Sequence, residues 1–210
     1  MRKQTLFITS IVLLAIILYS FKTPLIDGAN KNLNTNLDEK IERKVDSVLA
    51  LMRLNEKIGQ LVQYSGKWNA TGPSASNADK HKLNKLKNGE VGSMLNITSV
   101  ASIRETQKMV MDHSRLKIPL IFGYDVIHGY KTIFPIPLGE SASWDLEIIK
   151  KTAAIAAKET AASGIQWTFA PMIDISRDAR WGRVMEGAGE DVYLNTVIGV
   201  ARVQGFQGDD

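Results

Sequence analysis

Strand-like runs alternate with stretches of helical period along this chain, and the alternation narrows the fold more than any other feature. The runs are residues 91–97 (VGSMLNI), 119–126 (PLIFGYDV) and 165–170 (IQWTFA). The second is continuously apolar, as in a parallel strand buried on both faces. In the first, Gly92 predicts a close backbone approach. Between them, residues 99–116 carry apolar side chains at Val100, Ile103, Met109 and Val110, and residues 145–164 at Ile148, Ile149, Ala153, Ala156, Ala157 and Ala161. These spacings of three and four predict helices. Ser143 or Asp145 is expected to cap the second helix and Gly164 to stop it. Residues 191–204 form another helical pattern through Val192, Leu194, Val197, Ile198, Ala201 and Val203.

A helix pair precedes the first strand. Residues 37–54 repeat apolar positions at Leu37, Ile41, Val45, Val48, Leu49 and Met52, with Asn36 or Asp38 as the expected cap. Residues 55–63 follow with Ile58, Leu61 and Val62 on one face. Residues 65–79 read as a loop rich in Gly, Ser and Asn, and 80–88 as a short basic helix. Strands alternating with helices imply a parallel sheet with right-handed crossovers, either doubly wound or opening a (β/α)8 barrel. No GxGxxG follows the first strand, so dinucleotide binding has no support. A barrel takes about 250 residues, and three strands are visible in 210.

Composition excludes several classes. The chain has no cysteine, hence no disulfide framework, thiolate nucleophile or thiolate metal site. Its three histidines, His81, His113 and His128, do not pair at ligand spacing. Arg2 and Lys3 precede a 16-residue apolar run at 6–21, the layout of a secretory signal. Residues 1–21 are therefore expected to be a signal peptide or an uncleaved N-terminal anchor, and 22–36 a linker. Export to the periplasm or outside the cell follows from that reading. No basic cluster beyond the leader argues for nucleic acid. Sequons at Asn69 and Asn96 are short enough to arise by chance and carry no weight.

The densest chemistry lies between residues 168 and 191, TFAPMIDISRDARWGRVMEGAGED. A strand end passes into a long segment bearing Asp174, Arg177, Asp178, Arg180, Arg183, Glu186, Glu190 and Asp191 beside Trp181. Long ordered loops at strand C-terminal ends are where α/β folds place their sites. The competing reading is a loop held by its own ion pairs.

Three segments together resemble the N-terminal domain of glycoside hydrolase family 3, nearest to the periplasmic β-glucosidases. They are residues 54–60 (LNEKIGQ), then 124–130 (YDVIHGY) with 134–139 (FPIPLG), and 170–183 (APMIDISRDARWGR) continuing through Glu186 to Gly189, Glu190 and Asp191. The resemblance runs from about residue 38 to the last residue. The third segment is the most specific. Ala179 departs from the family, which commonly has Pro there.

The resemblance implies the N-terminal part of a TIM-type (β/α)8 barrel over residues 37–210, about three βα units plus the helix pair. It implies an exo-acting, retaining β-glucosidase that needs no metal or cofactor and acts on β-linked oligosaccharides. A β-xylosidase of the same family, or a non-catalytic exported sugar-binding protein, is the alternative. Asp125 matches the family's Asp that accepts hydrogen bonds from the sugar hydroxyls of the first subsite. Arg183 matches the Arg that reaches the same sugar. No residue here matches the family's nucleophile or acid/base, and turnover by these 210 residues alone is not expected. Such a piece is expected to be unstable by itself. Asp174, Arg177, Asp178, Glu186, Glu190 and Asp191 are expected to be ion pairs that fix the loop. His128 is expected to be packed or hydrogen-bonded. Of Trp68, Trp144, Trp167 and Trp181, three are expected in the core.

Overall fold

The computed structural model describes residues 31–66 and 77–208, with side chains described over 38–66 and 80–208. The expected leader, the first part of the expected linker, Trp68 and the Asn69 sequon lie outside the described residues.

Helix α1, Lys31–Leu51, belongs to the first of two units, which ends at Leu51. It starts six residues before the expected position, so part of the expected linker is helical. The breakers Pro24 and Gly28 stand upstream, and nothing in residues 31–36 (KNLNTN) stops a helix. Asn36 and Asp38 consequently lie inside the helix rather than at its cap. The apolar positions Ile41, Val45, Val48 and Leu49 share one face, and all are exposed.

The second unit runs from Met52. Its elements are α2 (Leu54–Gly59), β1 (Gln63–Ser65), α3 (Asn77–Lys87), β2 (Ser93–Leu95), α4 (Val100–His113), β3 (Ile121–Tyr124), α5 (Pro137–Ser141), α6 (Leu146–Ala162), β4 (Trp167–Thr168) and α7 (Val192–Gln207). A 3₁₀ turn, Val184–Glu186, interrupts the long loop before α7. The four strands are all parallel and pair in chain order, β1-β2-β3-β4. Gln63, Ser93 and Ile121 lie in register, as do Leu95, Gly123 and Trp167. A doubly wound sheet reverses its strand order at a switch point. Four strands in unbroken order, with helices between them, follow the barrel pattern instead.

β1 is a fourth strand, one more than the sequence announces. Gln63, Tyr64 and Ser65 form no apolar run and show no clear alternation, so residues 55–63 read as helix and 65–79 as loop. The strand exists because the neighbouring backbone accepts it. Gly92 N–H and Ser93 N–H donate to the Val62 carbonyl at 3.1 and 3.2 Å, and Gly66 N–H donates to the Leu95 carbonyl at 2.7 Å. Gly92 makes the close approach expected of it, because a Cβ there would lie 2.4 Å from the Gln60 carbonyl oxygen.

Helix ends obey local chemistry. Asp145 caps α6, accepting from Glu147 N–H at 3.1 Å and Ile148 N–H at 3.0 Å, and Gly164 follows that helix at φ 89°. The main core fills the space between the sheet and its helices with Leu86, Val91, Met94, Ile97, Ile103, Val110, Leu120, Phe122 and Ile165. A smaller cluster of Ile149, Ala188, Ile198 and Ala201 joins α6 to α7.

Glu56 fastens α2 to the turn after α4. Its carboxylate accepts Arg53 N–H at 2.7 Å, and Arg115 donates from Nε at 3.1 Å and from Nη2 at 2.6 Å. These donors, Arg115 first, hold the Glu56 carboxyl below its ordinary range. A carboxyl with a depressed folded-state pKa contributes stability above its unfolded value and loses it as pH falls through the folded value. Wild-type protein should therefore resist urea better than Glu56→Gln above about pH 6, with the two midpoints converging toward about pH 3. A gap that stays constant across that range would rule out the ionised carboxylate as its source.

Candidate functional site

Parallel pairing sends the C-terminal ends of all four strands to one end of the sheet. Asp125 follows the last residue of β3 directly, and Arg183 lies in the loop between β4 and α7. The Asp125 side chain is exposed, and its carboxylate accepts no hydrogen bond from any described residue. No helix starts at Asp125, so it is not an N-cap.

Arg183 is half of an ion pair. Its Nη2 donates to Glu186 Oε2 at 2.7 Å and its Nε to the same oxygen at 3.1 Å. The 3₁₀ turn brings the two together, since Arg183 precedes that turn and Glu186 closes it. Glu186 is the largest influence raising the Arg183 pKa, and the charges of Asp125 and Asp174 add to it. The charges of Asp125 and Asp174 thus reach the Arg183 guanidinium. Arg183 in turn keeps the Glu186 carboxyl below its ordinary range.

The rest of the charged loop divides differently from expectation. Asp178 forms the anticipated pair, with Arg180 Nη2 at 2.6 Å and Nε at 3.0 Å. Asp191 is a helix cap instead, accepting Leu194 N–H at 2.6 Å. Asp174, Arg177 and Glu190 enter no salt bridge among the described residues. Turns decide it: they bring together Asp178 with Arg180 and Arg183 with Glu186, whereas Asp174 and Arg177, also three residues apart, lie in a stretch without a turn. The loop is closed mainly by backbone. Ser176 N–H donates to the Gly189 carbonyl at 3.1 Å, and Asn195 on α7 donates to the Asp174 carbonyl at 3.1 Å.

His128 is hydrogen-bonded as expected, with Nδ1 3.1 Å from the Phe134 carbonyl oxygen. The tryptophans are not where they were expected. Trp144 is 74% exposed in the turn before α6, Trp167 is 45% exposed against Phe169, and Trp181 is half-buried. Trp144 is left largely uncovered by the described residues, and Trp167 is partly covered, with Phe169 against its ring. An apolar groove of about 390 Å³ is also open beside the loop, lined by Ile173, Ile175, Val200 and Val203.

Sequence reasoning missed four buried or bridging polar residues. Glu159 on α6 accepts from Lys131 N–H and Thr132 N–H, both at 2.8 Å, and from Thr132 Oγ1 at 2.6 Å. Asn195 is 2% exposed, and Arg202 pairs with Glu140 at 2.8 Å with both side chains 5% exposed. One signal was available for Arg202: a cation at a position that shares the face of Ile198, Ala201 and Gly205. Among the described residues, no group of three or more His, Asp or Glu is arranged to hold a metal.

Comparison with known proteins gives a consistent picture. The model of the glycosyl hydrolase family 3 N terminal domain matches residues 53–210. A periplasmic β-glucosidase of Salmonella typhimurium is 43% identical over 164 residues, covering 78% of this chain and 20% of that protein. A β-xylosidase of Formosa agariphila is 29% identical over 197 residues, 93% of this chain and 22% of that protein. Among solved structures, the β-glucosidase of Listeria innocua in complex with glucose superposes with a TM-score of 0.70 at 41% identity, covering 80% of this chain and 24% of that one. A mutant of the Listeria enzyme in complex with laminaribiose gives 0.69 at 42%, covering 80% of this chain and 24% of that one. The chain spans about a fifth to a quarter of the length of these relatives.

The Arg183–Glu186 pair is solvent-facing, so removing it should cost little stability while freeing the guanidinium. Glu186→Ala should leave the thermal midpoint within about 2 °C of wild type. In ¹⁵N–¹H spectra the Arg183 Nε–H signal should move toward that of a solvated arginine. An unmoved signal would mean that Glu186 does not hold the side chain.

Proposed function

The chain belongs to glycosyl hydrolase family 3, and from that premise we propose that it supplies the N-terminal part of the barrel of an exo-acting, retaining β-glucosidase. Asp125 and Arg183 hold the non-reducing glucosyl unit. What supports this reading is the family match over residues 53–210 together with placement: Asp125 directly follows β3 and Arg183 lies in the loop after β4, at the same end of a parallel sheet, and among the described residues no donor engages the Asp125 carboxylate.

The chemistry suits a sugar. The Asp125 carboxylate is acceptor-only and takes the O–H protons of two neighbouring hydroxyls, which discriminates epimers by direction. Arg183 donates to hydroxyl oxygens and stays charged at any working pH. Glu186 holds Arg183 in a fixed orientation before the sugar arrives, which lowers the ordering cost of binding.

Retaining hydrolysis needs a carboxylate to attack the anomeric carbon and a carboxylic acid to protonate the leaving oxygen, about 5–5.5 Å apart. Neither role falls on Glu186 or Asp178. Each is held by an arginine that lowers its carboxyl below the ordinary range, the opposite of what a general acid needs, and the same ion pair engages the oxygens an attack would use. Asp125 binds. The attacking and protonating groups of the reaction are not among the residues assigned here. Residues 1–21 direct export to the periplasm or beyond the cell, and the substrate is a β-linked glucoside or oligosaccharide. β-Xylosidases among the relatives support a second reading in which the sugar is xylose.

The gene product carrying this chain should hydrolyse an aryl β-glucoside faster than an aryl β-xyloside. Asp125→Ala and Arg183→Ala should each lower kcat/KM by about 100-fold, the loss of two charge-assisted hydrogen bonds. Both side chains are exposed, so the thermal midpoint should hardly move. Faster cleavage of the xyloside selects the second reading. Sugar binding without cleavage makes this a binding protein, and unchanged kcat/KM in both variants removes the residues from the subsite.

A further inference from the structure

Two buried side chains of α7 reach the bases of both candidate loops. Asn195 and Arg202 are seven residues apart, two helical turns, and so share one face. Both are buried, at 2% and 4% exposure. Asn195 Nδ2 donates to the Asp174 carbonyl at 3.1 Å, at the root of the loop that carries Arg183. Arg202 Nη2 donates to the Ile127 carbonyl, two residues beyond Asp125. Arg202 Nη1 donates to Glu140 Oε2 at 2.8 Å, which ties in α5 as well.

Stability is a weak reason for this arrangement. Replacing a buried ion pair by apolar residues of similar volume is often neutral or stabilising. The Arg202 pair is also incompletely satisfied, since its Nε finds no acceptor among the described residues. Burial works against the charge and Glu140 only partly offsets it. A costly cation retained at a packed helix position, aimed at the backbone next to a candidate binding residue, is what precise placement of that backbone requires.

We propose that Arg202, held by Glu140, is a positioning residue for Asp125, and that the Asn195–Arg202 face of α7 sets the spacing between Asp125 and Arg183. Arg202 touches no sugar. It fixes the Ile127 carbonyl, and with it the direction in which the Asp125 carboxylate leaves the end of β3. This rests on the sugar-subsite reading of Asp125 and Arg183.

The test uses the gene product carrying this chain and an aryl β-glucoside. Arg202→Met combined with Glu140→Leu removes both charges and keeps volume. The thermal midpoint should stay near wild type while kcat/KM falls about 10-fold, and in an Asp125→Ala background the same change should cost less than about 2-fold. A purely structural role would cost the same factor in both backgrounds. Arg202→Lys keeps the charge, but a single ammonium cannot replace the fork to Glu140 and Ile127, and kcat/KM should fall about 3-fold. Equal losses in both backgrounds, or full activity in the folded variants, would overturn the proposal. If neither variant gives a cooperative transition, the pair is a determinant of the fold and the positioning role is likewise overturned. Should Asp125→Ala itself leave kcat/KM unchanged, the subsite reading fails. A large Asp125→Ala loss beside silent Arg202 variants sinks this inference alone.

Discussion

Parallel pairing in chain order is the constraint on which the rest of the second unit depends. A strand that pairs parallel with its predecessor must be returned to the starting end by a covering segment, here α3, α4 and α6 in turn. Every strand therefore delivers its C-terminal end to the same side. That is why a residue after β3 and a residue after β4, 58 positions apart in sequence by their numbers Asp125 and Arg183, lie at one end of the sheet, where the Asp125 charge reaches Arg183. No contact between the two had to be built for this. The ladder places them, and the loops need only hold direction.

Direction is held by polar groups that the apolar pattern does not reveal. Asn195 and Arg202 from one helix, Glu186 within the loop and Glu159 on α6 each fix a stretch of backbone or a guanidinium. The parallel sheet and its helices could be built from many apolar sequences. These few polar side chains commit this chain to one arrangement at the strand ends.

Reading the sequence recovered what periodicity can carry. β2, β3 and β4, the helices between them and the Asp145 cap all follow from apolar spacing and capping chemistry. β1 escaped because Gln63, Tyr64 and Ser65 are strand only by virtue of the neighbour they pair with, a tertiary fact. Asp125 and Arg183 are singled out by the resemblance alone. Composition could not have separated them from the other charges of their loops. The loop's ion pairs were over-counted for the same reason: sign and proximity in sequence suggest pairs, but turn geometry decides which form. The tryptophans depart from expectation because large rings are assumed to seek a core, whereas the described residues leave Trp144 mostly exposed and Trp167 only partly covered.

Glu159 leaves a different mark on the site's surroundings. The turn at Lys131 and Thr132 points two backbone N–H groups and a hydroxyl in one direction, the kind of concavity that commonly captures oxyanions. Here the Glu159 carboxylate already occupies it, and these donors, Thr132 first, keep that carboxyl below its ordinary range. The turn is a cradle filled by the chain's own anion. These donors are engaged within the chain, so the turn is not an open site for an outside oxyanion.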